Sequence, residues 1–526
     1  MRCACCTLFA WCNPPWPPWP PWPPPPGRKQ QGVPVESPST EARSGRVVGI
    51  LALAGIVAAL MQTLVVPLIG ELPTLLSTSA SNATWVITAT LLAAAVTTPV
   101  AGRLGDMYGK KRMLMVSIGP LVLGSVICAL SSSVVPMIAG RGLQGMGMGV
   151  VPLGISLLRD VVPTEKLGGA IALISASMGV GGALGLPVSA AIAENASWRV
   201  LFWVAASLSL LVGVLVALFV PAGKENTAKG SFDGLGAVGL GIALVCLLLG
   251  VSKGADWGWG SGSTLGLLGG AVVILLAWGR WELRTKEPLV DLRVTARPQV
   301  LMTNVASILV GFAMYAQSLV IPQLLQLPEA TGYGLGQSML AMGLWVAPGG
   351  LMMMVMSPVG AKLSAASGPR ITLALGSLII AIGYGASQAL LGSTLGLLVV
   401  TIICSTGVGF AYGAMPALIM GGVPQSETAS ANSFNTLMRS IGSSFAAAVI
   451  GVVLAQMTTD FGGHALASEN GFRVAMMIGC GVALVAAVVA FFIPTKGASA
   501  QPEAGTGTGS APNAAPAAPK VSGATA

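Results

Sequence analysis

Fourteen apolar stretches, each on the order of twenty residues, alternate with short polar segments from residue 47 to residue 494. They fall at 47–69, 83–101, 113–131, 134–155, 167–191, 199–221, 234–251, 263–281, 299–325, 336–357, 371–391, 394–415, 432–456 and 473–494. At about 1.5 Å rise per residue each is long enough, as an α-helix, to cross a hydrocarbon core of roughly 30 Å. Strands of a membrane barrel would instead alternate apolar and polar residues over short segments, and these stretches do not. The pattern predicts an all-α polytopic membrane protein with fourteen transmembrane helices.

The flanking segments differ in kind. Residues 1–46 contain the run PPWPPWPPWPPPP, which cannot form a helix interior because proline lacks the N–H donor and crowds the preceding turn. A disordered tail is expected there, without the apolar region and cleavage site of a signal peptide. Residues 495–526, rich in Ala, Gly and Pro, are expected to be a second disordered tail.

Composition agrees with lipid as solvent. Of 526 residues, 54% are hydrophobic and 9% charged, too few polar side chains to cover a water-exposed globule of that size. The net charge of +9 does not point to nucleic acid, since Lys and Arg lie between the apolar stretches instead of clustering with aromatics. Cys3, Cys5, Cys6 and Cys12 sit in the tail, and Cys128, Cys246, Cys404 and Cys480 fall within spans as small packing residues. With His464 the single histidine, no metal site is expected.

Loop charge sets the orientation. A cytoplasmic N-terminus places Arg103, Lys110, Lys111, Arg112, Arg159, Lys166, Lys224, Lys229, Arg280, Arg284, Lys286, Arg293, Arg297, Lys362, Arg370 and Lys496 inside, and only Arg199, Lys253 and Arg473 outside. One helix missed or invented would scramble that asymmetry. An even count with both termini cytoplasmic follows, in a multi-pass protein of the bacterial inner membrane.

The segment after the second span reads GRLGDMYGKKR, Gly102 to Arg112. Gly102, Gly105 and Gly109 permit a tight turn and close helix approach. Asp106 can accept from a helix N-terminus or from Arg103, while Lys110, Lys111 and Arg112 hold the segment in the cytosol. This resembles the signature loop of the major facilitator superfamily, G-x-L-x-D-x-x-G-x-[RK]-[RK], at every defining position. The resemblance implies two related six-helix halves, and a second copy follows the tenth span: LSAASGPR, Leu363 to Arg370, with Gly368 answering Gly109 and Ala365 standing where the acid would be. The pairing makes the seventh and eighth spans an insertion, as in the fourteen-helix drug:proton antiporter family. The expected domains are a tail (1–46), a six-helix half (47–221), two inserted helices with linkers (222–298), a second six-helix half (299–494) and a tail (495–526).

Further motifs carry the same resemblance. RGLQGMGMG, Arg141 to Gly149, contains a run similar to the family's R-x-x-x-G-x-G, whose arginine is associated with proton coupling, and Gly145 and Gly149 are its candidate conformational positions. An arginine in hydrocarbon is costly and faces a partner or a wet cavity; the alternative reading is a structural residue bonded to carbonyls. In the fifth span Gly181, Gly185 and Ser189 recur every four residues around Pro187, a stripe for close helix contact that resembles the antiporter motif G-x-x-x-G-P-x-x-G-G imperfectly. The first span reads LMQTLVVPLIGELP, with Met61 and Val66 where the family carries Asp and Asn. The usual intramembrane acid is absent, so a proton carrier is not identified.

In the thirteenth span Asn435 and Arg439 share a face at i, i+4; Arg439 is either a charge at a pore or domain interface or a snorkelling side chain. Gln62, Gln144, Tyr315, Gln317, Trp345 and Asn435 are candidates to line a substrate cavity, against the reading of Trp and Tyr as interface anchors. No nucleotide loop, Ser/His/Asp set or intramembrane metal motif occurs, which argues against an enzyme or an ATP-driven pump. The expected function is efflux of small hydrophobic drugs or antibiotics by a monomer in the bilayer. It uses a proton gradient and no cofactor; the alternatives are export of one metabolite or a different coupling ion.

Overall fold

The computed structural model describes residues 38–65, 68, 72–78, 80–222, 231–461 and 464–494. In chain order its helices are α1 (Pro38–Thr63), α2 (Leu72–Leu75), α3 (Ala80–Tyr108), α4 (Lys110–Leu130), α5 (Val134–Met146), α6 (Val150–Val161), α7 (Thr164–Asn195), α8 (Arg199–Phe219), α9 (Gly234–Trp257), α10 (Gly262–Arg284), α11 (Leu292–Thr295), α12 (Pro298–Gln326), α13 (Met339–Ser367), α14 (Pro369–Leu390), α15 (Thr394–Gly422), α16 (Thr428–Gln456) and α17 (Glu469–Phe491). A two-stranded antiparallel hairpin, β1 (Thr458–Phe461) and β2 (His464–Ala467), joins α16 to α17. Thirteen of the described helices are long and apolar enough to cross a membrane.

The remaining predicted span, 134–155, is built differently. Its residues form α5, a 3-10 turn at Gly147–Gly149 and α6, so it is not one continuous helix. Gly147 is held close to Leu121 and Gly149 to Ala101, and glycine's backbone freedom lets the ladder tighten there. α1 also begins at Pro38, ahead of the expected tail boundary at residue 46, because proline in a first turn forfeits no hydrogen bond. The Trp-Pro run, Val66, Glu71 and the C-terminal tail lie outside the described residues.

Two large apolar cores form. One draws on residues from Val47 to Val220, with Met420 and Ala429 added; the other draws on residues from Ala306 to Ile493. A third, smaller core joins the inserted helices α9 and α10 to α3 and α16 through Ala95, Leu240, Leu244, Trp278, Leu289, Val290, Phe434 and Leu437. Among the described residues, fifty-two large apolar side chains stay exposed, Leu276, Leu218 and Val273 among them, as a lipid-facing belt requires.

Glycine stripes set the closest helix approaches. A Cβ on Gly124 would meet the Gly140 carbonyl, and one on Gly140 would meet Cys128. In the second core Gly376 and Gly407 abut each other's carbonyls, and Gly383 abuts Cys404. The α4/α5 and α14/α15 pairs are therefore packed alike.

Candidate functional site

Most helices here that have a capping side chain take it from the chain just before them. Asp233 Oδ1 accepts from Gly236 N at 2.8 Å, Ser393 from Gly396 N at 3.0 Å and Ser468 from Gly471 N at 3.1 Å. α16 does not, because its preceding residue Glu427 makes no side-chain cap. Asp106 of α3, 323 residues away, supplies the acceptors instead: Oδ1 takes Ala429 N at 3.1 Å and Oδ2 takes Ser430 N at 2.8 Å. A buried carboxylate on two first-turn amides combines an N-cap with the helix-dipole attraction.

Local sequence makes that reach possible. Gly102 has no side chain to strike Ser433 and the Ala429 carbonyl, and Gly105 leaves room for Leu153. Gly109 (φ 98°) is the single residue between α3 and α4, in a region that favours glycine. The expected loop is therefore a helix end: Gly102 to Tyr108 are helical and only Gly109 turns. Gly368 (φ 88°) makes the matching joint between α13 and α14.

Around Asp106 further bonds tie α4 and α6 to the start of α16. Lys110 pairs with Asp160 at 2.8 Å, Arg159 donates to Thr428 Oγ1 at 2.9 Å, and Ser156 donates to the Thr428 carbonyl at 3.2 Å. Asn432 Nδ2 in turn donates to Ser156 Oγ at 3.3 Å. Arg103 is buried within electrostatic range of Asp106 and has an unpartnered Nε, while Arg112 is exposed. Lys111 donates to the Ala217 carbonyl at 3.1 Å, at the end of α8. Arg370 does the same to Ile493 at 3.5 Å, just past the end of α17.

A second cluster surrounds Arg141, 1% exposed. Its Nη1 donates to the Met61 carbonyl at 2.8 Å and to Gln144 Oε1 at 2.6 Å, and its Nε to the Val86 carbonyl at 3.2 Å. Gln144 Nε2 continues to Ser125 Oγ at 2.7 Å. Among the described residues, three acceptors and no carboxylate offset a charge whose unpaired burial would cost several kcal/mol. Arg141 thus fastens α5 to α1 and α3, and Gly145 lies against the Thr90 carbonyl of α3.

Arg439 is buried with its guanidinium 4.5 Å from the Tyr412 ring centroid. No carboxylate among the described residues pairs with it. Asn435, a turn away, donates to Asn304 Oδ1 at 2.9 Å and to Ser307 at 2.8 Å, linking α16 to α12. On α7, Gly181 faces the Ile56 carbonyl, Gly185 faces Thr63 and Pro187 faces Gly343 of α13.

The six candidate cavity residues have different surroundings. Gln144 and Asn435 are buried in the networks above. Gln62 is exposed and reaches Met148 Sδ at 3.6 Å, Tyr315 and Gln317 are half-buried, and Trp345 donates to Gln337 at 3.1 Å. Three residues whose burial sequence reasoning did not anticipate are prominent here. Lys253, expected outside, is buried with its Nζ 5.8 Å from the Trp85 ring centroid; Tyr384 is fully buried; Glu282 is buried inside α10. Glu282 was legible only as i, i+4 from Trp278 at a helix end.

A family model described as Major Facilitator Superfamily matches residues 51–447. An uncharacterized MFS-type transporter of Mycobacterium tuberculosis is 29% identical over 444 residues, 83% of this chain and 63% of its own length; the chain thus spans less than two thirds of that relative. The tetracenomycin C resistance and export protein of Streptomyces glaucescens is 27% identical over 388 residues, 73% of this chain and 71% of its own. Multidrug resistance protein 3 of Bacillus subtilis is 25% identical over 422 residues, 79% and 80%. In fold, the human organic anion transporter MFSD10 superposes with a TM-score of 0.60 at 15% identity, covering 85% of this chain and 99% of that one.

Proposed function

The chain belongs to the major facilitator superfamily, and from that premise we propose that it exports hydrophobic drugs or antibiotics by secondary active transport. On this reading α5 and α6 together make the fourteenth crossing, both termini lie in the cytoplasm and the membrane is the bacterial inner membrane. The observation that carries it is the Asp106 cap on α16. A carboxylate and two amides, held by a few hydrogen bonds between helices far apart in sequence, make a contact worth on the order of 1–2 kcal/mol. That is strong enough to bias two conformations and weak enough to break in each cycle, as alternating access requires.

Arg141 is the proposed coupling residue of the first half. Its bonds to α1 and α3 transmit any local change of charge to both helices. Proton antiport is the proposed energy source, with small hydrophobic compounds as cargo and a monomer as the working unit. The named activities of the Bacillus and Streptomyces relatives support this choice of cargo. The Streptomyces relative, named for one compound, favours a second reading, a dedicated self-resistance exporter.

The test is expression of the full chain in a pump-deficient bacterium, with ethidium and tetracenomycin C accumulation measured with and without a protonophore. Lower accumulation that the protonophore abolishes is the expected result. Unchanged accumulation of both probes would overturn the export reading, and lower accumulation of tetracenomycin C alone would favour the dedicated exporter.

A further inference from the structure

Glu282 is 1% exposed, near the end of α10, one turn from Trp278 of the small core that joins the inserted helices to α3 and α16. Neither of its carboxyl oxygens closes a hydrogen bond of ordinary geometry, and neither does the indole Nε1 of Trp278, one turn back, although that N–H is turned toward the carboxyl. The backbone N–H groups of Leu289 and Val290 are turned toward the carboxyl without closing a bond of ordinary geometry. No cation among the described residues pairs with Glu282, and its charged neighbour is another acid, Asp233. A Cβ placed on Gly236 would touch both the Asp233 carboxylate and Glu282 Oε1, so the two acids border one space.

Asp233 is satisfied as an anion: Oδ1 accepts from Gly236 N at 2.8 Å and Oδ2 from Trp281 Nε1 at 3.0 Å. Glu282 is not. An ionised carboxylate buried in an apolar core is costly when the N–H groups facing it close no full hydrogen bond, and a like charge beside it adds to that cost. A neutral carboxylic acid avoids both costs.

The segment facing Glu282 also touches the latch. The Leu289 carbonyl accepts from Ser430 Oγ at 3.2 Å, and Ser430 N is one of the two amides held by Asp106. One residue of α16 is therefore bonded to the linker on one side and to the latch on the other.

We propose that Glu282 is the proton-binding group of this chain, carrying a proton while Asp106 holds α16 and giving it up when that contact opens. The step is a simple protonation, carboxylate plus proton giving carboxylic acid, with no redox partner. Ionisation draws the Leu289 and Val290 amides onto the carboxylate and shifts the linker, and Ser430 feels that shift directly. The inserted helices thereby supply the acid that Met61 does not. This inference rests on the proton-driven reading above, and its first readout is independent of transport.

The test uses the purified full chain, wild type and Glu282→Gln, in lipid vesicles. Infrared difference spectra across pH are expected to show a protonated-carboxyl stretch in the wild type that Glu282→Gln removes; Asp233→Asn should weaken it at a fixed neutral pH. With ethidium or tetracenomycin C as probe, Glu282→Gln should retain counterflow and lose at least tenfold in accumulation driven by a pH gradient. Identical spectra in wild type and Glu282→Gln, or undiminished gradient-driven accumulation, would overturn the proposal. A Glu282 band in a protein that moves neither probe would support the proton site and count against the export reading alone. If Glu282→Gln does not assemble, the Asp233→Asn spectrum decides, and an unchanged band overturns the assignment.

Discussion

The α4/α5 pair and the α14/α15 pair share a scaffold and differ in what it carries. In both, glycine faces glycine or cysteine so that backbones meet closely. In both, the first long helix of the half is held through a carbonyl. Arg141 grips Met61, five residues beyond the Ile56 carbonyl that faces Gly181; Tyr384 donates its hydroxyl to Ala313, five residues beyond the Ile308 carbonyl that faces Gly442. One half uses a buried cation and the other a neutral phenol. Packing is thus repeated while polar chemistry diverges, and the half whose carbonyl grip is a cation also carries the acid of the latch, which the second copy lacks at Ala365.

Removing the cation should have the largest effect. Arg141→Ala strands the Met61 and Val86 carbonyls and the Gln144 amide oxygen, each at a cost of about 1–3 kcal/mol when buried and unpaired. Export should fall to background in the accumulation assay and the thermal unfolding midpoint in detergent should drop. Wild-type transport by this variant would erase the proposed asymmetry.

Next comes the latch. Asp106→Asn replaces a charged acceptor at a helix N-terminus with a neutral one, losing roughly 1–2 kcal/mol, about a tenfold change in the closed-to-open ratio. A Ser433→Cys reporter, placed where Gly102 meets α16, should react with a thiol reagent about tenfold faster when combined with Asp106→Asn than alone. Equal labelling rates would remove Asp106 as the closing contact.

The smallest effect belongs to the phenol grip. Tyr384→Phe loses one hydrogen bond, about 1 kcal/mol, and should leave transport near wild type with a slightly lower unfolding midpoint. A loss of export as large as that of Arg141→Ala would show that the two carbonyl grips are equivalent.

Long apolar runs made the helical architecture legible, because hydrocarbon thickness sets helix length directly. Asp106 was legible as an acceptor seeking a helix N-terminus, yet which helix it caps depends on a contact 323 residues away in sequence. The break at Gly147–Gly149 was hidden because an apolar run reads the same whether its ladder is α or 3-10. Glu282 was hidden because the predicted span stops at 281, and a charge at a span end reads as solvated until packing from α9 and the linker covers it. Gln144 and Asn435 looked available for a ligand because sequence shows a polar group without showing its partner.

Because α16 has no cap of its own, opening the latch leaves the Ala429 and Ser430 amides with water as their only replacement. Those two protons therefore keep time for the molecule. Their hydrogen–deuterium exchange should advance once per opening and pause while Asp106 is seated, so a substrate or pH change that alters the cycle can be read as a rate at two backbone positions, without any cargo crossing the membrane.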